Sequence, residues 1–268
     1  LMGRLVLTGD NQADALEFLY NHNTTHFLID SSDMGKYTAF SSIGSNEQYD
    51  RYSWMSPFLL DERQTQETKQ QTLFVYPGGI GVDEDIAITS NGKEVFIPAQ
   101  SAGVGAIVIP VVGENSYQQP YAIFVYQSQQ YTVTLRYLYL NGQLFDFKSG
   151  IEAAVFVFPR LDQREGGFAM DPRGAVLYIS PRLLRGMFAH IYLMDDPFTQ
   201  YPNFKLVHTE PSLLVADIRG QGATVPDFIY FNGVQGPIKI WEVVYTGNEQ
   251  VRDEYIDTDA SKYLSWKL

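Results

Sequence analysis

The chain has 268 residues, 45% of them hydrophobic, enough to bury a substantial core in one to three domains. Its 31 acidic against 19 basic residues give a net charge of −12 at pH 7, which argues against nucleic acid or anionic lipid as a partner. The absence of cysteine excludes disulfides and thiolate metal sites, and the longest apolar stretch, Gly105 to Val112, is far short of the ~20 residues that span a bilayer.

Asp10 and Asn11 are placed to cap a helix over Gln12–Asn21, in which Ala13, Leu16, Leu19 and Tyr20 recur at helical spacing. Asn23-Thr24-Thr25 is an N-glycosylation acceptor triplet, with Asn23 as the modifiable residue. Phe27, Leu28 and Ile29 form a short strand-type run closed by Asp30. Ser31, Ser32 and Asp33 then supply side-chain oxygens able to cap a second helix. Lys36 follows Asp33 by three residues, so both charges point the same way on that helix. Residues 1–68 read as a small α/β unit, ending in the polar stretch Asp61–Gln71, a helix end or linker.

Residues 69–174 read as a β-rich, sandwich- or barrel-like unit. Leu73–Tyr76, Glu94–Ile97, Ala106–Val112, Tyr121–Tyr126, Tyr131–Leu140 and Ala153–Phe158 are rich in Val, Ile, Phe and Tyr. They are punctuated by Pro77-Gly78-Gly79, which reads as a turn, and by the hairpin pairs Asn91-Gly92 and Asn141-Gly142. Residues 175–268 read as a closing mixed α/β unit: a strand at Ala175–Ile179, a helix from about Pro181 to Met194, then two or three strands. The expected fold class is α+β.

Few motifs carry chemistry. His22, His26, His190 and His208 lack metal-ligand spacing. The acidic clusters Asp83-Glu84-Asp85 and Asp195-Asp196 lack the spacing of a Ca²⁺ loop and read as solvated loops. Pro77 to Gly81 and Gly220-Gln221-Gly222 lack the lysine and the strand–helix setting of a phosphate loop, and no serine sits in a Gly-x-Ser-x-Gly elbow. No metal site and no catalytic constellation is expected in this chain.

Thr25 to Gly44, THFLIDSSDMGKYTAFSSIG, resembles the segment that follows the membrane-embedded part of the archaeal and eukaryotic oligosaccharyltransferase catalytic subunit. There a helix, a strand ending near Asp, and an Asp-x-x-Lys-x-x-x-Met/Ile motif occur in this order. Asp33 and Lys36 match the charged positions, Phe40 stands at the Met/Ile position, and Ile43 follows three residues on. Leu183–Phe198, Asn203–Pro211 and Gly236–Tyr245 resemble the closing part of small-genome archaeal members; residues 70 to 175 match more loosely. The resemblance implies an extracytoplasmic C-terminal domain attached to a membrane-embedded half. That half would carry the Trp-Trp-Asp-Tyr-Gly motif, the Mn²⁺ or Mg²⁺ ion and the lipid-linked oligosaccharide. It also implies an acceptor polypeptide bearing Asn-x-Ser/Thr, with Asp33, Lys36, Phe40 and Ile43 at the acceptor site, and no transferase activity in this chain by itself. The alternative is a non-catalytic surface or carbohydrate-binding β-rich module, for which 18 Tyr and 17 Phe supply stacking faces.

Overall fold

The computed structural model describes residues 1–45, 50–90, 92–164 and 167–256. A π-helical turn at Met2–Leu7 leads to α1 (Gln12–Asn21), β1 (His26–Ile29) and α2 (Ser31–Gly44). The middle of the chain forms β2 (Pro57–Leu59), β3 (Gln66–Glu67), β4 (Thr72–Gly81), β5 (Ile86–Ser90), β6 (Lys93–Ile97), β7 (Ala102–Val112) and β8 (Ser116–Tyr117). It continues with β9 (Tyr121–Tyr126), β10 (Gln129–Leu140), β11 (Gln143–Asp146), β12 (Ile151–Arg164) and β13 (Gly167–Ile179). After α3 (Pro181–Arg185) and a second π-helical segment, Phe188–Leu193, come β14 (Phe204–Glu210), α4 (Leu213–Gly220), β15 (Ile229–Tyr230), β16 (Val234–Gln235) and β17 (Ile238–Val243). The fold is α+β, and none of its sheets closes into a barrel.

Strands β10, β12 and β13 form the wall around which everything else is arranged. β12 and β13 pair antiparallel, and β12 pairs parallel with the second half of β10. The apolar runs Ala153–Phe158 and Ala175–Ile179 lack polar alternation because both of their faces are covered. Tyr139, Ala154, Phe156, Phe158, Leu177 and Ile179 join the core beneath α1, α2 and α3. Their neighbours Leu138, Leu140, Val155, Val157, Val176 and Tyr178 join a second core with β4, β7, β9 and the β5–β6 hairpin. The expected boundary between residues 174 and 175 falls inside β13. A smaller sheet, in the order β1-β17-β14, joins an early strand to two late ones.

Local chemistry explains where elements begin and where sequence pattern misplaces them. The Asn11 side chain accepts from the Ala13 N–H at 2.9 Å and starts α1 as expected. The buried face of α1 is Ala15, Leu16, Phe18 and Leu19, whereas Ala13 and Tyr20 meet solvent. Asn141 and Gly142, at φ 51° and 76°, turn β10 into β11. Asn91 lies outside the described residues, but Gly92 has φ 72° between the paired Ser90 and Lys93. Gly78-Gly79 makes no turn: it sits in a register shift within β4, where a Cβ on Gly78 would lie 2.2 Å from the Phe58 ring. Asp61–Gln71 holds a tight turn around Asp61 and then β3, rather than a helix end.

The helix expected over Pro181–Met194 is interrupted. Gly186 is extended (ψ 144°), and the Met187 N–H donates to the Gly9 carbonyl at 2.8 Å, drawing the backbone off the helix axis. The chain resumes as the fully buried π-helical segment Phe188–Leu193. Among the described residues, no helix is long and apolar enough to cross a membrane.

Candidate functional site

The motif helix α2 is displayed by strand β1 and held at both ends. Phe27 and Ile29 face the core while His26 and Leu28 face outward, so β1 delivers the chain to Asp30 at the edge of the helical core. Asp30 is the N-cap: its carboxylate accepts from the Ser32 N–H at 2.6 Å. Asp33 reaches back to accept from the Asp30 N–H at 3.2 Å, completing a capping box. The expected capping set of Ser31, Ser32 and Asp33 is therefore corrected; the two serines lie in the first helical turn, and Asp33 supports the cap from within the helix. Hydrogen bonding from Ser32 holds the Asp30 carboxyl below the ordinary carboxylate range, against the penalty of burial.

Lys36 Nζ bonds Asp33 at 3.2 Å and the Ser32 hydroxyl at 3.0 Å. The far end of α2 is fixed by backbone contact with the Met2–Leu7 turn. A Cβ on Gly3 would come within 2.8 Å of the Phe40 carbonyl, and one on Gly44 within 3.0 Å of the Arg4 nitrogen. These approaches need glycine at both positions.

The inner face of α2 carries Met34, Tyr37, Ser41 and Gly44. Tyr37 packs edge-on against Phe188 at 5.3 Å. Ser41 is tied to the Ser53 backbone, 3.0 Å from its carbonyl and 3.1 Å from its N–H. The Ser53 hydroxyl in turn donates to Asp83, as does that of Ser180, the cap of α3. Burial pushes the Asp83 carboxyl above its ordinary range, opposed by these hydroxyls and by Arg182. Asp83 is thus a buried strut between α2, α3 and the β4–β5 connection, not part of a solvated loop. Its sequence gives no hint of this, because its partners lie 30 and 97 residues away.

The outer face of α2 carries Ser32, Lys36, Ala39 and Ile43, all exposed. Asp33 is half-buried beside Lys36, and Phe40 packs against the helical core. The structure therefore separates the two apolar candidates: Phe40 is partly used for packing, while Ile43 is 80% exposed on the same stripe as Lys36, seven residues on. Asn23 is exposed in the left-handed turn after α1, at φ 50°.

The second acidic pair is also engaged. Asp195 binds Lys239 at 2.6 Å, and Asp196 accepts from the N–H groups of Gln200 and Tyr201 at 2.9 and 2.8 Å. Lys239 was missed in the sequence. The available signal is its parity in Ile238-Lys239-Ile240-Trp241-Glu242-Val243, where it shares the inward side with Trp241 and Val243. Among the described residues, no three His, Asp or Glu side chains converge as a metal site. Comparison with known families, with characterised proteins and with solved structures finds no match to this chain.

Proposed function

We propose that this chain is the extracytoplasmic C-terminal part of an archaeal oligosaccharyltransferase catalytic subunit, in which α2 forms one wall of the site for an Asn-x-Ser/Thr acceptor. The observation that carries the reading is the outer stripe of α2. There an exposed Lys36, held by a half-buried Asp33, and an 80% exposed isoleucine are presented on a helix fixed by a capping box, a buried face and backbone contact. Ile43, open to solvent on that stripe, supplies an apolar contact for the methyl of a sequon threonine. Lys36 supplies a donor to the backbone or hydroxyl of the bound peptide. Transfer from a dolichyl phosphate or diphosphate carrier, with its Mn²⁺ or Mg²⁺, belongs on this reading to the membrane-embedded half.

The test is a pair of assays with lipid-linked oligosaccharide, Mn²⁺ and an Asn-x-Thr peptide. The 268-residue chain alone gives no glycopeptide; the same chain joined to its upstream membrane-embedded half does. Turnover by the chain alone, or an upstream sequence without hydrophobic spans and a Trp-Trp-Asp-Tyr-Gly-like motif, overturns the reading. In the active protein, one methyl contact is worth about 1 kcal/mol, so threonine acceptors are preferred severalfold over serine. Ile43→Ala removes that preference, and an unchanged ratio removes Ile43 from the site.

A further inference from the structure

The small sheet leaves its last strand uncovered. β14 pairs with β17 along one side, and among the described residues no strand lies along the other. Every residue from Lys205 to Glu210 is exposed, with Leu206 at 45% and Val207 at 51%. An open strand edge carrying apolar side chains is a template for pairing with another chain; bulges and charges on the edge decide which chain fits. β14 has both, and its bulge sets where the charges point.

The register against β17 gives each residue of β14 its face. Lys205, His208 and Glu210 stand opposite Glu242, Ile240 and Ile238, whereas Leu206 and Thr209 stand opposite Trp241 and Lys239. Glu242, Ile240 and Ile238 are alternate residues of β17 and share its outer side, so Lys205 and Glu210 point outward together. In a regular strand, residues at these two positions would point to opposite sides. The extra residue between Leu206 and His208 brings the two charges onto one face.

The edge that answers this pattern is its own copy, run antiparallel. With Leu206 opposite Thr209 of a second copy, Lys205 stands opposite Glu210, and two-fold symmetry makes each contact twice. A two-fold axis through the sheet keeps the outer faces of both copies on one side, so the paired charges meet there, and the two bulges face each other. We propose that two copies of the chain associate through antiparallel pairing of β14 with β14, forming one six-stranded sheet held in register by two Lys205–Glu210 contacts. Seven residues from each copy is well below the roughly 20–30 of a standard interface, so the association is weak and depends on concentration. β14 lies across β17 from β1, the strand that leads into α2, and the inference is independent of the acceptor-site reading.

Sedimentation velocity of the chain from about 1 to 500 μM, at low salt, tests it. The parent protein moves from monomer to dimer across this range. Lys205→Glu and Glu210→Lys each set like charges against one another at both contacts and raise the dimer Kd about tenfold. The variant carrying both Lys205→Glu and Glu210→Lys restores the opposite-sign contacts and returns the Kd to within about threefold of the parent. All three keep the parent's unfolding temperature, since both side chains are exposed. Glu210→Lys is the sharpest arm. The chain carries a net charge of −12, so an effect of overall charge alone would make this variant associate more strongly, not less. The proposal is overturned by a monomer at every concentration, which would make the bulge and charges a guard that keeps the edge unpaired. Tighter association of Glu210→Lys, or a double variant no better than the single ones, overturns it as well.

Discussion

Lys36 with Asp33 and Lys239 with Asp195 are the same chemical pair in opposite settings. Lys36 is three residues from its partner, with a side chain 55% exposed; Lys239 is 44 residues from its partner, with a side chain 5% exposed. Water already satisfies Lys36, so its ion pair adds little to folding and the ammonium is free to engage another molecule. Lys239 is held by Asp195 and the Tyr192 carbonyl, 5.7 Å from the ring centres of both Tyr192 and Phe228. Its charge is part of the core, and removing its partner strands a cation there. The difference shows which pair contributes to the fold and which is left open to a second molecule: the cation's burial decides, not the length of the bridge.

Breaking the buried pair has the largest expected effect. Asp195→Ala destabilises by roughly 3 kcal/mol in denaturant titration, at the low end for a buried pair because Asp195 itself is 56% exposed. Lys239→Met stays within about 1 kcal/mol of the parent or stabilises, since it removes the charge along with the need for a partner. Equal losses in both variants would contradict the contrast drawn between the two pairs. Next comes the cap of α2: Asp30→Ala costs about 1 kcal/mol. Lys36→Ala costs less than about 0.5 kcal/mol, the smallest of the set.

Two carboxyls sharpen the contrast by pH. Asp30 has a lowered pKa in the fold, so its stabilisation is present above the ordinary carboxylate pKa of about 4 and is lost on acidification below it. Asp83 has a raised pKa, so the folded state holds a proton that the unfolded chain releases, and stability falls as pH rises from about 4. Thermal unfolding followed against pH therefore separates them. Asp30→Asn flattens the acid loss, while Asp83→Asn gains on the parent protein as pH rises. The same slope in both variants would show that one of the two environments is misassigned.

These contrasts also mark what the sequence makes legible. The Asn11 cap, the Asn141-Gly142 turn and the two-faced runs of β12 and β13 rest on neighbouring residues, and the structure follows them. The placing of Asp33 and Lys36 on one helix face is legible for the same reason, as is the exposure of Lys36. The role of Asp83 depends on Ser53 and Ser180, and the shared face of Lys205 and Glu210 depends on a bulge seen only against β17; neither has a local signature. The break at Gly186 likewise comes from Gly9, far off in the chain, and no periodicity over Pro181–Met194 records it. Phe40 and Ile43 are equivalent apolar residues in sequence, and the packing of the helical core against Phe40 is what distinguishes them.

The central claim is that the outer face of α2 engages the acceptor while contributing little to the fold. Its most direct test is Lys36→Ala in the chain joined to the membrane-embedded half that the proposal requires, measuring glycopeptide formation and thermal unfolding on the same preparation. The account predicts a fall in transfer of about tenfold, one charge-assisted contact, with the unfolding temperature unchanged. Undiminished transfer, or a loss of transfer matched by a loss of stability, would contradict it.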